Sequence, residues 1–310
     1  MTRELSVVRA SDIAPPDPET SSWLVDALWR AGAVGVIGGA PKCCKSWLAL
    51  EIAVAVASAR PCLGRYAVPS PGPALVFAAE DAPMQVRERV ENLCRARGTS
   101  FTGLDLGLIV EPSLRIDRAE DILRLRTTLA QRRPRLLVLD PYVRLQRADE
   151  NNATEVSSIL ATLRDISRSF AVAILLVHHA RKSPADHSGQ ALRGSSDFHA
   201  WGDSNLYLRR RGQDLLLTAE HRAAASPEPL TLTLAENPLR LEIREAAASP
   251  GTARPLEQRL VEALSDGPRR LDDLRAALNT RKQSVADALR ALEASGQVIR
   301  QPDGWAVARA

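Results

Sequence analysis

The chain has 310 residues, enough for one full core domain and a small second one. At 45% hydrophobic and 25% charged it has the composition of a globular chain, and no apolar run reaches the roughly 18 residues needed to span a bilayer, which excludes a membrane partner on this reading. A net charge of +4 is compatible with nucleic acid without arguing for it. The first ten residues lack the apolar stretch of a signal peptide, so a cytoplasmic protein is expected. The four cysteines, Cys43, Cys44, Cys62 and Cys94, form no C-x-x-C pair and no zinc spacing, and disulfides are not expected.

Residues 1–20 carry Pro15, Pro16 and Pro18 among polar residues and read as an unstructured arm. An apolar run at 33–37 ends in Gly38-Gly39, and a helical stretch follows over 46–59. The run 74–79 ends in Glu80-Asp81, with Asp81 the expected N-cap of an amphipathic helix at 83–97. Runs at 106–110 and 136–139 follow, the latter ending in Asp140, with a helix at 118–132 between them. A helix at 154–170 leads to the run 172–177, which ends in His178-His179. Short apolar runs alternating with helices of this length indicate βαβ units and a parallel sheet. The runs are apolar throughout, as strands covered by helices on both faces must be. Polar residues close four of them, at the edge where open α/β sheets place ligands. After Trp201, the runs 204–208, 214–218, 230–234 and 239–243 alternate and read as antiparallel strands extending the sheet.

The segment from Gly39 to Ser46 reads G-A-P-K-C-C-K-S. It fits the phosphate-loop pattern G-x-x-x-x-G-K-S, except that Cys44 stands where the second glycine belongs. Gly39, Ala40, Pro41, Lys42, Cys43, Cys44, Lys45, Ser46 and Trp47 are therefore the expected nucleotide-binding residues. Backbone N–H groups and a helix N-terminus favour anionic oxygens there. Lys45 would reach the β- and γ-phosphates, and the Ser46 hydroxyl would sit on Mg2+. If position 44 needs positive φ, a Cβ is unfavourable there. The loop then either binds nucleotide with adjusted geometry or is degenerate. Cys43-Cys44 also admits a redox reading, set against one in which both are small fillers.

The loop, the strand ending in A-A-E-D at Asp81, the L-L-V-L-D-P segment around Asp140, V-H-H-A-R-K at 177–182 and R-G-S-S-D at 193–197 together resemble the RepA-type hexameric helicases, the AAA-25 group of RecA-like ATPases, over residues 20–245. The resemblance implies ATP and Mg2+ as ligands. It implies Asp140 as the metal-binding carboxylate alongside Ser46, and Glu80 as the carboxylate acting on the attacking water. His179 becomes the polar residue sensing the γ-phosphate, and His178 is left for burial. An arginine acting from a neighbouring subunit is implied, with Arg209, Arg210 and Arg222 as candidates and Arg222 preferred. Glu220 stands where the family has lysine in the corresponding Lys-x-Arg segment. The resemblance further implies a homo-oligomer, in the family a hexamer, and single-stranded DNA contacted through Arg181, Lys182 and Arg193.

A linker is expected at 246–254 and an independent module over 255–310. In that module Leu256, Leu260, Val261 and Leu264 share one helical face. Leu271, Leu274 and Leu278 share a second, and Val285, Leu289 and Leu292 a third. Thr280 and Gln283 fit a capping box, Gly296 a helix C′ position, and 301–304 a turn between two short strands. Three helices and a hairpin resemble a winged helix, which would offer Arg281, Lys282, Gln283, Ser284 and Arg290 to a DNA groove, with Arg300 on the wing. Nine basic against eight acidic residues in this stretch leave docking to a protein open as the alternative. The expected whole is an α/β RecA-like ATPase core over 21–245 with a C-terminal winged helix, acting on DNA. The alternative is a nucleotide-gated DNA-binding regulator or scaffold with weak hydrolysis.

Overall fold

Each strand of the central sheet sends its apolar side chains alternately into two cores, which explains why the runs read as apolar throughout. Ala74, Val76, Leu136, Val138, Ala173, Leu175 and Val177 enter one core, and Leu75, Phe77, Leu137, Leu139, Ile174 and Leu176 the other. The computed structural model describes residues 7–14, 21–146, 153–179, 196–244 and 256–308, apart from Asp266, Asn279, Arg281 and Asp303. The chain divides into two units, Met1–Arg244 and Glu245–Ala310. The expected linker at 246–254 lies outside the described residues, as do Arg181, Lys182 and Arg193.

In the first unit, residues 7–14 contain a single 3-10 turn at Ala10–Asp12. A hairpin of β1 (Trp23–Val25) and β2 (Trp29–Arg30), not foreseen from the sequence, leads into β3 (Val34–Gly39). There follow α1 (Lys45–Ser58), β4 (Ala74–Ala78), α2 (Pro83–Arg97), β5 (Leu106–Leu108), α3 (Ala119–Arg132), β6 (Leu136–Asp140), α4 (Ala153–Phe170) and β7 (Ala173–His179). A short helix α5 (Ser196–Trp201), also unforeseen, precedes β8 (Ser204–Arg211), β9 (Asp214–His221), β10 (Leu230–Ala235) and β11 (Arg240–Ile243). The nine-stranded sheet has the order β11-β10-β9-β8-β3-β7-β6-β4-β5. Strands β3 to β8 run parallel, and β8 through β11 are antiparallel, as the change to alternating runs after Trp201 indicates. Helices α1 and α2 pack into the first core, and α3 and α4 into the second.

Helix α1 is apolar around nearly its whole circumference, with Leu48 through Val56 all buried, so it lies wholly inside the first core. One charged residue, Glu51, goes in with it at 0% exposure. Its Oε1 accepts a hydrogen bond from the Leu63 amide at 2.6 Å, and Arg97 from α2 pairs with both carboxylate oxygens. Arg97 also donates to the Pro61 carbonyl. Burial, and to a smaller degree Arg240, lowers Arg97 to about 10, which keeps it charged at neutral pH.

The second unit holds α6 (Leu256–Ala263), α7 (Leu271–Leu278), α8 (Lys282–Ala294) and a hairpin of β12 (Val298–Gln301) and β13 (Gly304–Val307). Leu260, Leu264, Leu274, Val285, Leu289, Leu292 and Val298 form its core, the three helical faces read from the sequence meeting as expected. Gly296 closes α8 at φ +73°, where a side chain would be strained. The Thr280 hydroxyl donates to the Leu278 carbonyl at 2.9 Å at the end of α7, and the Gln283 side chain lies outside the description. Arg269 pairs with Trp305 through two backbone hydrogen bonds of 3.0 and 2.8 Å, tying the hairpin to the segment before α7.

Candidate active site

Four strand ends converge on one cleft of about 270 Å3 at the C-terminal edge of the parallel strands. Lys42, Cys43, Cys44, Lys45, Ser46 and Trp47 come from the loop after β3 and the start of α1. Glu80 and Asp81 follow β4, Asp140 ends β6, His179 ends β7, and Arg89 reaches in from α2. Gly39 opens the loop because β8 passes close beside it, and a Cβ at Gly39 would stand 2.4 Å from the Leu208 carbonyl oxygen.

The loop does hold position 44 at positive φ. Cys44 has φ +58° and Lys42 φ +64°, with Cys43 between them. Cys44 is also the N-cap of α1 and makes no side-chain cap hydrogen bond. Left-handed residues alternating along a loop turn successive N–H groups to one side and form an anion nest. The N-terminal N–H groups of α1 add to it. Lys45 is 4% exposed, and its Nζ donates to the Ala40 carbonyl at 2.8 Å across the loop. Burial lowers its pKa against the opposing pull of Cys43, Asp140 and Cys44. Burial raises the Cys44 thiol, the reverse of what a redox-active thiolate needs, although Arg210 and Lys45 pull the other way. All four cysteines are free.

Asp140 shares the side-chain parity of Leu136 and Val138 and so faces α1. The Ser46 hydroxyl donates to its carboxylate. Burial, chiefly, with Asp81 and Glu80 adding to it, raises Asp140 to about 6 against the lowering effects of Ser46 and Lys45. A hydroxyl and a carboxylate side by side at the loop are the oxygen donors that Mg2+ takes when phosphate and water complete its shell, so these residues fit the metal. A folded pKa above the unfolded value gives stability that is present at low pH and lost as pH rises through about 6. Asp140→Asn should therefore raise the stability of the ligand-free protein at pH 7.5 by about 2 kcal/mol. The gain should shrink as pH falls towards 4, and thermal unfolding at both pH values checks it.

The same alternation separates the two histidines. His179 shares the parity of Val177 and enters the cleft. His178 turns to the opposite core, stacked on Phe198 at 4.4 Å between ring centroids and edge-on to Tyr142 at 5.9 Å. Burial, chiefly, lowers His178 to about 4 and keeps it neutral, as its expected buried place requires. Burial and Lys45 also lower His179, with Glu80 opposing.

Three arginines occupy places that the sequence did not indicate. Arg144, just beyond β6, donates from Nε to Glu80 Oε1 at 3.0 Å. Arg89 forks onto Asp81 at 2.5 and 3.0 Å and lies 5.7 Å from the Trp47 ring centroid. Asp81 is thus not the N-cap of α2. Ala82 holds that position, with its amide satisfied by Gln85 at 3.2 Å, and Asp81 is taken by Arg89. Arg210 donates to the Lys42 carbonyl of its own loop at 3.0 Å. No local pattern marks such partners, since they lie 8 to 168 residues apart in sequence. Arg209 is exposed at the same end of β8.

Arg222 is not brought to this cleft. The β8–β9 register, with Ser204 opposite His221, puts it at the other edge of the sheet. There it donates to the Ala200 and Trp201 carbonyls and lies 3.4 Å from Asp203. His221 before it is tied to Ser204 at 3.1 Å and the Ala27 carbonyl at 3.0 Å. Any role of Arg222 at a nucleotide site is confined to that of a neighbouring copy.

No curated protein matches the chain in sequence. Among solved structures it is similar to the ATPase domain of a helicase at 12% identity and TM-score 0.51, over 69% of this chain and 85% of that one. It is also similar to the RadB recombinase at 16% identity and TM-score 0.50, over 69% and 92% of the two chains. These likenesses establish a RecA-like fold. The DprA winged helix domain matches residues 244–304, and the AAA domain of the AAA-25 family matches residues 2–185. With the loop from Gly39 to Ser46 at the head of α1 and a RecA-like sheet behind it, the chain belongs to the AAA-25 family of P-loop ATPases and carries a winged helix after its core.

Proposed function

We propose that the chain binds ATP with Mg2+ in this cleft and hydrolyses it, and that hydrolysis drives an action on DNA. The observation that carries the reading is the meeting of Lys45, Ser46, Glu80, Asp140 and His179, from four strand ends, around one cavity. Ser46 and Asp140 would hold Mg2+, which supplies charge neutralisation at the β- and γ-phosphates when bound. Lys45 reaches the same phosphates, at the cost of its hydrogen bond to Ala40. Glu80, with Oε1 held by Arg144, presents Oε2 to the attacking water. His179 contacts the γ-phosphate side of the cleft and lies directly before the segment 180–195.

Action on DNA is supported by the winged-helix match and by the recombinase among the similar structures. The placing of Arg222 and Arg209 outside their own cleft supports an oligomer in which one of them completes a neighbour's site. A second reading, a nucleotide-gated DNA-binding regulator or scaffold with weak hydrolysis, draws on the two non-glycine residues held at positive φ in the loop.

Steady-state ATP hydrolysis with and without single-stranded DNA tests the choice. Lys45→Ala should reduce turnover to background, and single-stranded DNA should raise the wild-type rate. ATP binding with no turnover above the Lys45→Ala background would replace the motor with the nucleotide-gated protein.

A further inference from the structure

The loop from Gly39 to Ser46 holds two side-chain-bearing residues in the left-handed region, Lys42 at φ +64° and Cys44 at φ +58°. L-residues resist this conformation because Cβ crowds the backbone, and glycine normally serves there. Something outside the loop must favour it. Strand β8 runs parallel to β3 with Leu208 opposite Gly39, so Arg210 emerges two residues on, beside the loop. Its Nη2 donates to the Lys42 carbonyl at 3.0 Å, while Arg210 itself does not line the cleft. The peptide between Lys42 and Cys43 is trans, so its C=O and N–H point in opposite directions. A carbonyl turned outward to Arg210 turns the Cys43 N–H inward, to the cleft that Cys43 lines.

We propose that Arg210 is a positioning residue in its own subunit, holding a phosphate loop that lacks glycine at positions 42 and 44 in its anion-binding conformation. It replaces by an external hydrogen bond the freedom that glycine would give the loop. This rests on the nucleotide-binding part of the reading above and is independent of hydrolysis. It removes Arg210 from the arginines free to act on a neighbouring subunit.

The test is equilibrium binding of Mg2+-ATP to the full chain by calorimetry, for wild type, Arg210→Ala, Cys44→Gly, the double variant and Lys45→Ala. Arg210→Ala should weaken binding roughly 10- to 100-fold, the range for a hydrogen bond made by a charged group. Glycine at 44 relieves part of the strain that Arg210 opposes, so adding Cys44→Gly to Arg210→Ala should recover most of the loss. Cys44→Gly alone should change affinity much less, and this non-additivity is the signature of the loop mechanism. Arg210 is exposed, so its removal leaves the core intact, and unfolding curves that coincide with wild type confirm it. Wild-type affinity in Arg210→Ala overturns the proposal. An equal loss with and without Cys44→Gly also overturns it, because Arg210 would then act as a plain charge. Wild type binding no better than Lys45→Ala overturns the nucleotide-binding reading and this proposal with it.

Discussion

Glu80→Gln is expected to lower ATP turnover by roughly 10^2- to 10^4-fold, the contribution of a positioned general base, while leaving nucleotide affinity close to wild type. The amide keeps an acceptor for Arg144, which donates to Oε1 at 3.0 Å, and so keeps the side chain in place. What it loses is the capacity to take a proton. Glu80 sits two residues beyond Ala78, which is paired with Asp140 across β4 and β6, so both carboxylates stand at one end of the cleft. Trp47 lines the same cleft, and its fluorescence offers a binding readout separate from turnover. Unchanged turnover in this variant, beside a Lys45→Ala variant that has lost it, would show that the reaction does not use Glu80.

Glu51→Ala should be the most destabilising single change in the first unit's ion pairs. The glutamate is fully buried, and its removal leaves the Arg97 side chain, 9% exposed, without its carboxylate partner, and the Leu63 amide without its acceptor. Removing one partner of a buried pair costs about 3–5 kcal/mol, because the remaining charge stays out of water. For a domain of this size that lowers Tm by roughly 6–20 °C. Replacing both partners by apolar residues of similar volume should recover much of the loss, since the desolvation cost disappears with both charges. Thermal unfolding of Glu51→Ala, Arg97→Met and the Glu51→Leu/Arg97→Met pair measures the coupling. Additive losses would show that the two side chains stabilise the core separately.

The alternation of apolar runs and helices is legible because it follows from a local rule. A strand covered on both faces has no polar position, and a crossover helix must separate parallel strands. The loop from Gly39 to Ser46 is equally legible, since its residues are adjacent and its chemistry depends on that adjacency. The histidines divide by parity alone, so the burial of His178 and the exposure of His179 to the cleft are contained in the pair of positions. The hairpin β1–β2 and helix α5 are not legible in this way. At two to six residues each is too short to show a period, and each owes its form to the sheet it packs on.

The amino-acid sequence by itself determined the RecA-like sheet, the winged helix and the strand ends at which polar residues gather. These rest on hydrophobic period and on motifs whose parts are neighbours in the chain. Only the tertiary structure decided what each arginine does. Arg144 meets Glu80, Arg89 meets Asp81, Arg210 meets Lys42 and Arg97 meets Glu51. A guanidinium on a long side chain takes whichever carbonyl or carboxylate the fold brings within reach. The strand order and register that set that distance join segments up to 168 residues apart.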